Sequence, residues 1–227
     1  LPNLPASLSP ADLAAAEEQQ RRLAHQVVST DHLPPIVATI AGVDVAYAQH
    51  SDQLVAAAVL LDAATLRVLH TAVVHQPVAF PYVPGLFSFR ELPPILAALA
   101  QLPQAPDLVI CDGQGLAHPR RFGLACHLGV VTGLATIGCA KTRLVGDYPA
   151  LSPERGSAAD LSYEGQTVGR ALRTQTGKNP VFVSTGHRIS LSTACQWVLH
   201  CAPTYRLPET TRAADHLVNQ ERQRLEG

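Results

Sequence analysis

The sequence predicts a layered α/β or α+β domain, a mixed central β-sheet flanked by helices, and three observations carry that prediction. Three short, apolar, β-rich runs follow one another early in the chain. A continuous apolar run, Leu108-Val109-Ile110-Cys111, then ends abruptly in Asp112-Gly113. From there strand-like and helix-like stretches alternate, the pattern of helices packed on a partly parallel sheet. With 227 residues, 47% hydrophobic and 15% charged, the chain is long enough to bury a core and too apolar to be disordered. No repeat, low-complexity tract or clean boundary divides it, so residues 1–227 are expected to form a single domain.

Taken in order, Ser9-Pro10-Ala11-Asp12 opens a helix with a capping hydroxyl, a proline in the first turn and an early acid. That helix is expected to reach about Val28, with Leu13, Leu23 and Val27 inward. Asp31 to Pro35 is a breaker-rich connection. Ile40 to Tyr47, Leu54 to Leu61 and Leu66 to Val74 read as strands, joined by turns short enough for hairpins, which gives an antiparallel meander. Gln76 to Pro84 carries three prolines and is expected to be irregular. Ser88 to Leu102 reads as a helix despite Pro93-Pro94. Leu108 to Cys111 reads as a buried parallel strand. Further strands are expected at Ala135 to Ala140 and Val181 to Ser184. Helices are expected at Phe122 to Val131, Ser190 to His200 and Pro208 to Leu225. Lys141 to Gly177 is the least regular stretch, expected to be surface loops with room for one helix.

A formal net charge of −1 announces no nucleic-acid partner, so any phosphate-binding surface has to be local. Five cysteines (Cys111, Cys126, Cys139, Cys195, Cys201) form an odd set without CxxC spacing, which fits reduced thiols better than disulfides or a zinc site. No apolar run approaches the roughly 20 residues of a membrane span, and no secretory leader opens the chain. A cytoplasmic location and a monomer are the expectations. The absence of Met, even at position 1, suggests a trimmed start.

Two carboxylates stand out. Asp44 lies in the middle of an apolar strand, and an unpaired buried carboxylate costs several kcal/mol, roughly, unless a cation or several donors meet it. Asp112 poses the same problem at the carboxyl end of Leu108 to Cys111, the end where α/β sheets place their ligands. Each alone can cap a turn or pair with an arginine. Together, in strands able to lie side by side, they suit magnesium, which takes one or two carboxylates plus phosphate oxygens and promotes phosphodiester cleavage. Glu91 is a third acid, with the alternative of a capping box from Ser88. Asp215 is a fourth, with the alternative of an ordinary helix-face acid. Lys141 directly follows an apolar strand, well placed for phosphate or simply solvated.

Six strings then resemble one family in order. Ile40-Ala41-Gly42-Val43-Asp44-Val45 is similar to the first acidic motif of endonuclease V. Pro81-Tyr82-Val83-Pro84-Gly85 with Phe87-Ser88-Phe89-Arg90-Glu91 resembles the second, and Asp112-Gly113-Gln114-Gly115 through His118-Pro119-Arg120-Arg121-Phe122-Gly123 the third. Ile137-Gly138-Cys139-Ala140-Lys141, Ser184-Thr185-Gly186-His187-Arg188, and Tyr205 to Glu209 with Thr211-Arg212 continue the match, which spans about Ala11 to Asp215.

The resemblance implies a ribonuclease H-like fold and a magnesium-dependent endonuclease, with manganese able to substitute. Its expected reaction is hydrolysis of the second phosphodiester bond 3′ to a deaminated base such as hypoxanthine, leaving a 3′-hydroxyl and a 5′-phosphate. It places Asp44, Glu91, Asp112 and Asp215 around the metal, with Asp44 and Asp112 as direct ligands and His216 as an alternative to Asp215. It further implies Lys141 on the scissile phosphate and His118 near the reacting end.

Reading a base inside a stack requires extruding it. Pro81-Tyr82-Val83-Pro84 suits a wedge, stiffened by proline and tipped by an aromatic face, although a loop packing Tyr82 on its own core is the alternative. Gly113 and Gly115 would let the protein backbone approach the flipped base or phosphate closely, and Arg90 belongs to the expected substrate contacts. DNA with deaminated bases is the expected partner. Inosine-containing RNA, or binding without catalysis, are the competing readings.

Overall fold

The structure, a computed structural model, describes residues 9–226. Its centre is one eight-stranded mixed sheet, built from β1 (Thr39–Tyr47), β2 (Gln53–Asp62), β3 (Val68–Pro77), β4 (Leu108–Cys111), β5 (Ala135–Ala140), β6 (Ala158–Tyr163), β7 (Gln166–Leu172) and β8 (Val181–His187). The order across the sheet is β3-β2-β1-β4-β5-β8-β7-β6. The expected meander is present as antiparallel β1–β2–β3, and β4 lies parallel between β1 and β5. These central strands are continuous apolar runs because helices cover both faces.

The helices are α1 (Pro10–Ala24), α2 (Phe87–Leu99), α3 (Leu124–Thr132), α4 (Leu191–Cys201) and α5 (Glu209–Glu226). Strand side chains alternate between the faces. Ala41, Val43 and Val45 of β1 therefore pack with Leu92 and Ile95 of α2 and Leu124 and Leu128 of α3. Ala46 packs instead with Val218 of α5, and Ile137, Val183 and Val198 form the core under α4. No described helix is long and apolar enough to cross a membrane.

Three expectations and one alternative reading need correction. Lys141 to Gly177 is not a set of loops: it contains the hairpin β6–β7, turned by Glu164 (φ 51°) and Gly165 (φ 75°), both in the left-handed region that a tight hairpin turn demands. The first helix ends at Ala24 rather than Val28, because the Val28 N–H is taken by His187 Nδ1 at 3.1 Å and its carbonyl by the Arg188 N–H at 2.6 Å. The third strand runs on to Pro77, where a missing N–H is tolerated at the end of an edge strand. No capping box joins Ser88 to Glu91. Leu86 is the N-cap of α2 without a side-chain bond, and Ser88 Oγ lies 3.0 Å from His127 Nδ1.

His127 is fully buried between the rings of Phe89 and Phe122, and burial pulls its pKa down to about 4. The unfolded chain takes up this proton near pH 6.5 and the folded one only near 4, so stability falls as pH drops through that window. His127→Leu is therefore expected to lose about 2 kcal/mol less than the unsubstituted protein between pH 7 and pH 5, read from urea midpoints. Equal losses would contradict this.

Gly42 lets α5 approach β1: a methyl group there would overlap the Thr210 carbonyl oxygen. Gly42→Ala is expected to destabilise by about 2–3 kcal/mol as the helix is pushed off the sheet. A thermal midpoint unchanged by the substitution would contradict that packing.

Candidate active site

The carboxyl ends of the three parallel strands open onto one cleft of about 560 Å³. Because Val43 pairs with Cys111, the next residues along, Asp44 and Asp112, fall side by side on adjacent strands. Lys141 is the residue after β5 and donates to Asp112 Oδ2 at 2.6 Å. Glu91 enters from α2, where it is buried and accepts a hydrogen bond from Tyr47 Oη at 3.0 Å.

The electrostatics follow from crowding. Burial pushes the Asp44 carboxyl up to about 7, and Asp112 and then Asp215 add repulsion, which the Val45 N–H and Lys141 oppose. Burial likewise pushes Glu91 up to about 8, with Asp44 and Asp112 raising it further and the Tyr47 hydrogen bond holding it down. Burial alone would lower the Lys141 ammonium. Contact with Asp112 and the fields of Asp44 and Asp215 outweigh it, so its pKa lies above the ordinary lysine value. Asp44, Glu91 and Asp112, with the field of Asp215 from α5, face the cations Lys141 and Arg90, a balance that a further cation would relieve.

All of these donors are hard oxygens, the ligands that magnesium and similar ions prefer. Among the described residues no group of three or more His, Cys, Asp or Glu side chains is arranged as a closed ligand set. Asp112 is turned onto Lys141. The residues therefore fit an ion held by one or two carboxylates, with water and substrate oxygens completing the shell.

Of the other residues singled out from the sequence, Tyr82, Pro84, Gly113 and His118 line the same cleft. Tyr82 is 68% exposed at its mouth, not packed on the core. Pro81, Val83, Arg90, Gly115 and Asp215 do not line it. Val83 packs with Phe80, Leu86 and Phe89. Arg90 stacks on the Tyr47 ring, 4.2 Å from its centroid. Gly115 is tucked against β8, its N–H donating to Ser184 Oγ at 2.8 Å. Asp215 is exposed on α5 and, like His216, faces solvent. Burial draws the His118 ring down to about 4, so it is neutral near pH 7. Its Nδ1 accepts from the Arg120 N–H at 3.2 Å and its Nε2 lies 3.1 Å from the Gly85 carbonyl.

Sequence reasoning missed three supporting side chains. Tyr47 holds Glu91 across 44 positions; its only signal was an aromatic ending the strand that carries Asp44. Arg206 Nη2 donates to the Lys141 carbonyl at 2.6 Å, and Gln114 Nε2 to the Thr142 carbonyl at 3.0 Å, pinning the segment that carries the lysine. Both sit within strings that carry the family resemblance, but nothing in their spacing tells what they hold.

The whole fold has counterparts among known proteins. Residues 21–216 match the family model described as Endonuclease V. Endonuclease V of Roseiflexus castenholzii is 52% identical over 213 residues, covering 94% of this chain and 95% of that one. The crystal structure of the Streptomyces avermitilis endonuclease V superposes with a TM-score of 0.91 at 49% identity, covering 99% of this chain and 98% of that one. Endonuclease V of Ciona intestinalis, solved with a 23mer DNA containing an inosine followed by a ribo-adenosine, has a TM-score of 0.86 at 26% identity, over 96% of this chain and 100% of that one.

Proposed function

The chain belongs to the endonuclease V family, with its ribonuclease H-like fold, and from that premise we propose that it cuts the second phosphodiester bond 3′ to a deaminated base. It is a DNA repair endonuclease acting on DNA with deaminated bases, and family membership implies a divalent metal cofactor. We assign magnesium, with manganese able to replace it, and a cytoplasmic location consistent with five free, buried cysteines.

The observation that carries this reading is the meeting of Asp44, Glu91, Asp112 and Lys141 in one cleft beside an exposed Tyr82. Asp44 and Asp112 would hold the ion, with Glu91 and Asp215 shaping the field around it. The bound ion supplies activated water and charge to stabilise the leaving oxygen. Lys141, which donates to Asp112, would be the group that holds the scissile phosphate. Pro81, Tyr82, Val83 and Pro84 form the wedge, with Tyr82 stacking in the space that the extruded base leaves. Gly113 lies open to the cleft for close approach of the substrate.

The reaction is tested by mapping the nick on an end-labelled duplex with one deoxyinosine. A cut one nucleotide beyond the lesion, with 3′-hydroxyl and 5′-phosphate ends and the base retained, is expected. A free base would mean glycosylase chemistry. Tyr82→Ala is expected to slow duplex cleavage by about 10- to 100-fold, the worth of one base–aromatic stack, while single-stranded substrate is affected far less. Equal effects on both would remove the wedge. A second reading, inosine in RNA, draws on the ribo-adenosine after inosine in the Ciona complex. Faster cleavage of a matched inosine RNA than of the DNA would favour it.

A further inference from the structure

The Gly85 carbonyl, directly after the proposed wedge, faces three side-chain nitrogens. Gln20 Nε2 of α1 donates at 3.0 Å and Arg120 Nη2 at 2.8 Å, and His118 Nε2 lies at 3.1 Å. Because His118 Nδ1 accepts the Arg120 N–H, the neutral ring carries its proton on Nε2 and donates as well. Gln20 Oε1 in turn accepts from Arg120 Nε at 2.6 Å, and Glu17 pairs with Arg120 Nη1 at 3.2 Å on the outer side.

This is a costly arrangement for one loop carbonyl, which has two lone pairs. Gln20 is 1% exposed, His118 5%, and the Arg120 side chain 15%. Polar groups so deeply buried destabilise unless they are bonded. Gly85 itself sits at φ +79°, and a Cβ there would stand 2.7 Å from Arg120 Nη2, so the close approach needs glycine. Beneath the same loop, Phe80, Val83 and Leu86 pack on Leu13 and Ala16 of α1. The loop is thus bonded and packed on its inner side, and Tyr82 is left projecting.

We propose that Gln20, Arg120 and His118 form a clamp that fixes the Gly85 carbonyl and so sets the height of Tyr82 over the cleft. They are positioning residues, and the inference rests on the reading of residues 81–84 as a wedge. A wedge entering a base stack must be stiff beforehand, since freedom retained in the loop is lost on insertion. Misplacing such an element by about 1 Å can cost 10²-fold. The clamp also gives α1 a task at a cleft that none of its residues lines.

The test uses the full chain with Arg120→Met and the milder Gln20→Leu, each checked for a folded spectrum. Amide hydrogen exchange of residues 81–90 is measured in the free protein. Single-turnover cleavage is measured on duplex and on single-stranded DNA with one deoxyinosine. Faster exchange in that segment is expected, with duplex cleavage slowed about tenfold and single-strand cleavage slowed less than about twofold. Arg120→Lys, which keeps a cation but loses the planar fork, is expected to restore part of the duplex rate. Unchanged exchange, or equal slowing on both substrates, would overturn the clamp. Tyr82→Ala in the same assay separates the two ideas. If it leaves the duplex-to-single-strand ratio unchanged, the wedge fails and exchange alone decides: faster exchange upholds the clamp and unchanged exchange overturns it.

Discussion

Asp44→Asn is expected to lower strand cleavage by about 10³-fold or more while leaving the metal-free protein at least as stable as before. The two effects have one origin. The Asp44 carboxyl is pushed up to about 7 by burial first and then by Asp112 and Asp215, so its ionised form is held in place against the surrounding charge. Asparagine keeps the shape and removes the charge. Thermal melts with EDTA should show an equal or higher midpoint for the variant. Added magnesium should stabilise the unsubstituted protein by about 1.4 kcal/mol at ten times its dissociation constant, raising its midpoint, and should raise the variant's far less. An active variant, within about tenfold of normal, would remove Asp44 from the metal site.

Lys141→Met is expected to slow cleavage by about 10²-fold, on the scale of losing one group that stabilises transition-state charge. Its stability effect has the opposite sign to that of Asp44→Asn. Lys141 Nζ donates to Asp112 and attracts Asp44 and Asp215, so without it the carboxylates repel one another with less to offset them. The metal-free variant should melt lower than the unsubstituted protein, and magnesium should restore much of the difference. A normal cleavage rate, or a metal-free variant that melts higher, would contradict this placement.

Much of the sheet is legible in the sequence because its central strands are unbroken apolar runs, and in such runs Asp44 and Asp112 are conspicuous. Their adjacency was readable only as a possibility; the parallel pairing of Val43 with Cys111 makes it a fact. The β6–β7 hairpin does carry a local signal: burial alternates along β6, with Ala159, Leu161 and Tyr163 more buried than Asp160 and Ser162, and Glu164-Gly165 supplies the turn. Long-range polar partners were illegible in principle. Tyr47 with Glu91, Arg206 with the Lys141 carbonyl, and Gln20 with Gly85 are joined across 44, 65 and 65 positions, respectively, by contacts that no local pattern encodes. Arg90 shows the converse: a cation inside a matched motif that the fold lays on Tyr47.

The proposed metal site joins Asp44, Asp112 and Lys141 at the ends of parallel strands with Glu91 from α2 and the field of Asp215 from α5, making a metal-dependent nuclease for deaminated bases. The most direct measurement is cleavage of two labelled duplexes, identical except for one deoxyinosine in place of deoxyadenosine, with magnesium and with EDTA. A nick is expected only in the inosine duplex and only with magnesium. Cleavage that persists in EDTA, or that treats both duplexes alike, would contradict that proposal.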